Sequence, residues 1–318
     1  MMMTKEIKPQ DLRQVKTYSL AQRRSKVSTT AFARIYPKDG TFQDFLDSLP
    51  NILAADDLRF VINAWAKAAR AKKTVILGMG AHVIKVGLNP VIIDLMQRGV
   101  ISCVALNGAG IIHDVELAMV GHTSEDVAAA IDDGTFGMAE DTAVFLGKAL
   151  SESQPDTEGL GYAVGRAIAE KGLRFSEHSV LAAGFRLGIP LTVHVAIGTD
   201  IVHMHPQFDP ARFGEATHHD FRLFSAMVTC LQKGVYLNIG SAVILPEVFL
   251  KAVTLARNLG YDLNEFTTVN LDFIQQYRPL TNVVHRPTAR GGRGINLVGH
   301  HEIMLPLIAA GVIEQLEG

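Results

Sequence analysis

The sequence predicts an α/β fold built on a parallel sheet with helices on both faces. Three observations predict it. Short β-branched runs recur along the chain and read as continuously apolar, as strands covered on both faces do. Most of them end in glycine. Stretches of helical periodicity separate them, which is the pattern of strand–helix–strand units.

Residues 1 to 40 are polar and locally basic around Arg23-Arg24-Ser25-Lys26, and read as an arm that packs on the body or on another subunit. Residues 41 to 318 are read as a single α/β domain. Phe45, Leu46 and Leu49, then Leu58, Val61, Ile62 and Trp65, keep helical spacing. TVILGMG, Thr74 to Gly80, is the first strand. NPVIIDLMQRG is a helix, with Asn89 able to cap it, Pro90 in its first turn and Gly99 past its end. VISCVALNGAG, Val100 to Gly110, is a second strand running into a Gly-rich turn.

Helical stretches follow around Ser124 to Asp133 and Ala139 to Leu150, with a loop over Ser151 to Gly159. The helix Ser176 to Arg186 leads into GIPLTVHVAIGTDIVHMHP, Gly188 to Pro206, a buried strand that breaks into an Asp and two histidines. A helix over Phe221 to Gln232 precedes GVYLNIGSAV, the fourth strand. PEVFLKAVTLARNLG is a helix closed by Gly260. FTTVNLDF, Phe266 to Phe273, is a fifth strand, and EIMLPLIAAGVIEQL is a mostly buried final helix.

At 318 residues, with 48% hydrophobic and 19% charged side chains, the chain can build a large core. A net charge of -2 argues against a nucleic-acid partner, which needs a basic footprint. No apolar run reaches the roughly 18 residues of a membrane span, and the N-terminus has no apolar leader segment. Cys103 and Cys230 both sit in apolar runs and read as buried thiols, so a cytoplasmic setting is expected.

In open parallel sheets, ligands bind beyond the carboxyl ends of the strands. That rule selects Gly78 to Lys85, Asn107 to Glu116, Gly198 to His205, Asn238 to Ala242 and Asn270 to Asp272. Most of the unusual polar residues fall there, so a cleft for a small molecule is the leading inference. Glycine pairs at 78 and 80 and at 108 and 110 permit tight turns, although neither segment is a complete GxGxxG fingerprint. Among twelve histidines, His203 and His205 with Asp200 are candidate ligands for zinc or another divalent metal. His113-Asp114 and His219-Asp220 resemble the paired ligands of metal hydrolases. Arg286, Arg290 and Arg293 stand in RPTARGGRG, read as a flexible loop that suits a carboxylate or phosphate. Glu302 beside His300 and His301 is a candidate for acid–base work.

ILGMGAHVIKVGLNPVIIDLMQRGVISCVALNGAGIIHDVE, HSVLAAGFRLGIPLTVHVAIGTD, GVYLNIGSAV, FTTVNLDF and GHHEIMLPLIAAGVI occur in an order that resembles deoxyhypusine synthase, over roughly Thr74 to Ile313. The resemblance implies a Rossmann-like, NAD-binding fold and a homo-oligomer, usually a tetramer, with sites between paired subunits. It also implies oxidation of an amine to an imine and transfer of the alkylamine. By position it places Gly80, His82, Asn107, Gly108, Asp200, Gly240, Ser241 and Asn270 around the dinucleotide. The family's imine-forming lysine falls near Asn296, and no lysine occurs between 252 and 318. An imine with the enzyme needs a primary amine. The chain therefore resembles a divergent relative without that lysine.

The leading expectation is an NAD-dependent transferase or oxidoreductase acting on an amine or polyamine-like molecule. His113, Glu116 and His300 would move protons, Asp200 and Glu302 would hold a cation, and Arg290 or Arg293 an anionic group. The alternatives are a metal-dependent hydrolase or isomerase using His203 and His205, and a catalytically silent ligand-binding oligomer.

Overall fold

The computed structural model describes residues 7–154 and 157–317. Two helices open the body, α1 (Phe42–Ser48) and α2 (Ala54–Arg70). Then come β1 (Val75–Met79), α3 (His82–Lys85), α4 (Asn89–Gln97), β2 (Cys103–Asn107) and α5 (Gly108–Val120). A helical segment follows: α6 (Val127–Ala130), α7 (Glu140–Ser151), α8 (Leu160–Lys171) and α9 (Val180–Leu187). The chain continues through β3 (Leu191–His194), α10 (Pro210–Thr229), β4 (Val235–Ile239), α11 (Ile244–Asn258), β5 (Thr267–Asp272), α12 (Tyr277–Pro279), β6 (Arg293–Val298) and α13 (His301–Glu317).

All six strands are parallel, in the order β3-β2-β1-β4-β5-β6. This is the order of dinucleotide-binding sheets, and strand order reverses between β1 and β4. Every residue of β1, β3 and β4 is buried, which is why these runs show no alternation in sequence. Val75, Leu77 and Met79 face one layer, with Trp65 and Leu106; Ile76, Cys103 and Tyr236 face the other, with Phe224 and Phe249. Tyr236 stacks on Phe249 with centroids 3.8 Å apart, a contact worth about 1 kcal/mol beyond its buried area.

Asn238, Asn270 and Asn296 pair in register across β4, β5 and β6. The Asn238 Nδ2 donates to Asn270 Oδ1 at 2.8 Å, and the Asn270 Nδ2 donates to Asn296 Oδ1 at 2.8 Å. The result is an amide ladder across three strands, buried at Asn238 and Asn270 and half-buried at Asn296.

Several local expectations are corrected. Gly108 to Gly110 are the first turn of α5, not a loop, because the Asn107 side chain accepts from Gly110 N at 3.0 Å and caps the helix. Asn89 does not cap α4: Leu88 holds that position, while the Asn89 Nδ2 donates to Asp114 Oδ1 at 3.2 Å and to the His178 carbonyl at 2.8 Å. The arginine-rich stretch ends in a sixth strand, in which a Cβ on Gly294 would collide with the Val284 carbonyl. Helix α8 is hidden by Gly161 and Gly165, which let it pack on the backbone carbonyls of Leu191 and Leu181. Cys230 is exposed, while Cys103 is buried.

Within the expected arm, residues 1–6 lie outside the described residues, as do 155 and 156 of the expected loop. Residues 7–40 are exposed apart from Ala31 and Gly40, and form three 3-10 turns. Arg34 N to Ser48 O at 2.8 Å and Asn51 N to Ala31 O at 3.0 Å tie this segment to the body. Among the described residues no helix is long and apolar enough to cross a membrane.

Candidate functional site

The carboxyl ends of β1 and β4 meet at the reversal of strand order. The Gly80 N–H donates to Ile239 O at 2.9 Å, and a Cβ on Gly80 would collide with the Gly240 carbonyl oxygen. Gly240 has φ of +67°, and a Cβ there would stand 2.8 Å from the His301 ring. Glycine is thus required at both positions by the approach of the two turns. Ser241 accepts from Leu245 N at 3.2 Å and holds the first turn of α11.

Around this junction the rings of His82, Phe273, His300 and His301 gather. His82 lies 5.5 Å from His301 and 5.8 Å from Phe273, and Phe273 stacks on His300 at 6.1 Å. The His301 side chain has no exposed surface, and among the described residues neither ring nitrogen meets a partner at good hydrogen-bond geometry, the Asp272 carboxylate standing 3.7 Å from Nε2. Burial lowers its pKa, an effect that Asp272, 3.7 Å away, opposes and that His82 reinforces. His300 and Glu302 stand 3.8 Å apart on the exposed start of α13.

Beside the junction, the loop after β3 lays the Asp200 carboxylate against Gly108, where a Cβ would collide with it. The Asp200 side chain is 6% exposed and its Oδ2 has no hydrogen-bond partner. Burial raises its pKa, and the neighbouring His203 and His113 act against that rise. His203 Nδ1 accepts from the N–H groups of Gly198 (3.0 Å) and Asp200 (3.2 Å). Its proton is therefore on Nε2, 4.0 Å from Asp200 Oδ2.

Asp200 and α5 border a cavity of about 870 Å³. His113 and Glu116 line it one helical turn apart, so the structure brings together His113, Glu116 and Asp200. The Thr123 hydroxyl bridges the first two: it lies 2.6 Å from His113 Nδ1 and donates to Glu116 Oε2. Burial pushes Glu116 up, but His113 and the Thr123 hydroxyl overcome it and leave the carboxyl below its usual range. Among the described residues, four carboxylates line the cavity, from Glu116, Glu125, Asp141 and Asp200, against one lysine, Lys85.

Other sequence-selected residues stand elsewhere. His300 and Glu302 do not line the cavity. Arg293 pairs in register with Thr267 at the amino-terminal edge of the sheet, opposite to Asp200. Its guanidinium lies 3.6 Å over the Phe60 ring and 3.7 Å from Asp57. Arg290, just before β6, belongs to the same edge, and its charge lowers the pKa of Arg257 after burial has done so. The metal reading is corrected. His205 donates from Nε2 to the Gly137 carbonyl at 2.7 Å, and His203 spends Nδ1 on backbone N–H groups. Asp114 and Asp220 are buried, and both accept backbone N–H bonds. Among the described residues, no three His, Cys, Asp or Glu side chains are placed to hold a metal ion.

Sequence reasoning missed Thr123 and Thr142, while Lys85 closes the first segment the strand-end rule selected. With a Gly-rich turn expected at Gly108 to Gly110 and no helix assigned after it, the helical phase that puts His113 and Glu116 on one face was invisible. Nothing in the sequence marks Thr123.

No family model matches the chain, and no curated protein matches it. Solved structures share its fold. A provisionally assigned deoxyhypusine synthase from Entamoeba histolytica superposes with a TM-score of 0.54 at 11% identity, over 89% of this chain and 96% of that one. Unliganded AgrE gives 0.51 at 15% identity, over 85% of this chain and 34% of that one. The ternary complex of AgrE with ornithine and NAD+ gives 0.50 at 15% identity, with the same coverage. The chain thus spans about a third of the length of AgrE. At these identities the likeness is one of fold: an α/β architecture on a six-stranded parallel sheet.

Proposed function

We propose that the chain is a deoxyhypusine synthase-like, NAD-dependent enzyme that acts on a cationic amine, by oxidation or alkylamine transfer, without a covalent lysine imine. The observation that carries this reading is the junction of Gly80 and Gly240 at the reversal of strand order, with an acidic cavity beside it. Open α/β sheets bind dinucleotides at such a reversal. The His301 nitrogens and Asp200 Oδ2 are buried polar atoms without a well-formed hydrogen bond among the described residues, which a bound ligand could satisfy. AgrE, solved with ornithine and NAD+, lends the cofactor support through its shared fold. His82, Asn107, Gly108, Ser241 and Asn270 remain the proposed surroundings of the dinucleotide, and bound NAD would supply hydride acceptance.

The cavity's four carboxylates favour a cation, and its volume suits a small molecule. Asp200 would hold the ammonium, and His113 with Glu116 would move the proton. Asn296 cannot form the imine: its side-chain nitrogen is an amide rather than the primary amine that step needs, and its Oδ1 accepts from Asn270 Nδ2. We also propose that the chain works in the cytoplasm as a homo-oligomer, a dimer or tetramer. Leu12, Tyr18, Leu20, Phe32 and Ile35 are exposed on the arm and would be covered by a second copy.

Thermal denaturation with NAD+ and NADH tests the cofactor. A ligand at 100 times its Kd stabilises the folded state by about 2.7 kcal/mol. A midpoint that stays put with saturating NAD+ and with NADH would sink the reading.

A further inference from the structure

We propose that Thr123 is a positioning residue that fixes the His113 proton on Nδ1, leaving Nε2 as the ring's one lone pair and the proton acceptor of the cavity. The inference deepens the amine reading of the same site and rests on it for the substrate, but not for the tautomer.

A hydroxyl has a single hydrogen to give. Thr123 Oγ1 contacts two groups, His113 Nδ1 at 2.6 Å and Glu116 Oε2. Glu116 also receives the Thr142 hydroxyl at 3.5 Å. Its carboxyl is held below the usual range and, when ionised, is an acceptor only. The Thr123 hydrogen is therefore committed to Glu116. The contact with His113 then works only with the ring as donor, which puts the proton on Nδ1. Of the two tautomers of a neutral imidazole, this one leaves Nε2 unprotonated.

His113 is 17% exposed and lines the cavity, as Asp200 does. A cationic amine held by Asp200 has an N–H bond to give up. That bond breaks with its electron pair left on the substrate nitrogen, and the proton forms a new bond to His113 Nε2. The imidazolium produced keeps its Nδ1–H on Thr123. Glu116, 3.7 Å from the ring, and Asp200 both face the new charge. The arrangement needs no lysine.

The test is a long-range proton–nitrogen NMR spectrum of the full chain labelled at histidine, with the His113 signals assigned by their loss in His113→Gln. The wild-type spectrum should show the Nδ1–H pattern. Thr123→Val should move His113 toward the Nε2–H pattern, and Thr123→Ser should restore it. A wild-type Nε2–H pattern overturns the proposal, and so does a Thr123→Val spectrum in which His113 is unchanged. The wild-type spectrum decides the tautomer even if Thr123→Val does not fold. No substrate or cofactor is present, so a negative result leaves the amine reading standing. Conversely, a failure of NAD to bind leaves the tautomer intact.

Discussion

The Asn270 side chain donates to Asn296 at 2.8 Å across β5 and β6, at the position where the resemblance to deoxyhypusine synthase calls for a lysine. Asn296 is thus a structural member of an amide ladder. Asn296→Leu leaves the buried Asn270 Nδ2 unpaired and should cost about 1–3 kcal/mol. Urea unfolding measures this, and an unchanged stability would show that the ladder contributes nothing.

Gly80→Ala drives a methyl group into the Gly240 carbonyl. Overpacking of this kind costs about 1–3 kcal/mol, and separating the two turns should also abolish NAD+ binding. Calorimetric titration of the folded variant checks the second effect. Full NAD+ affinity would mean that the junction is not the cofactor site.

Asp200→Asn keeps the size of the side chain beside Gly108 but removes its charge. The Kd for a cationic amine should rise by about tenfold, equivalent to about 1.4 kcal/mol, while NAD+ binding changes little. Parallel titrations with amine and NAD+ separate the two. An amine affinity equal to that of the wild type would remove Asp200 from the substrate site.

Asp220 gives a pH dependence. Burial pushes its carboxyl up to about 8, although Gly161 N and Val193 N donate to it at 2.9 and 2.8 Å and pull it down. Its ordinary value is 3.8, so between 3.8 and about 8 the folded state holds more protons than the unfolded chain. Stability on this account falls as pH rises through that window. Asp114, pushed up to about 6 by burial, adds to the fall in its lower half. Asp220→Asn should flatten the slope between about pH 5 and about pH 8 in denaturant titrations. An equal slope in both proteins would falsify the assignment.

The strands were legible in the sequence because burial on both faces leaves uninterrupted apolar runs, such as Val75 to Leu77 and Val235 to Leu237. Strand β6 was not, since only Ile295 and Leu297 are buried among its residues. Helix α8 was obscured by glycines that local propensity penalises and tertiary packing requires. In the candidate site, the strand-end rule selected the segments that hold Asp200, His113 and Glu116, which the fold places on one cavity. Thr123 was not, because it joins them by a chain path that runs beyond α5, and only the folded geometry shows that contact. Arg290 and Arg293 were misjudged for a related reason: composition suggested an anion loop, but register puts Arg293 at the opposite edge.

The strand order has a consequence for how the molecule is made. Every neighbouring pair in the sheet is parallel, so no two strands can close as a hairpin. β1 must wait for β4, which emerges only after β2, β3 and the helices between them. Contacts so distant along the chain are costly in loop entropy and slow to form. The meeting of Gly80 with Gly240 therefore belongs to the late stages of folding, and a nascent chain halted before β4 lacks this crevice altogether.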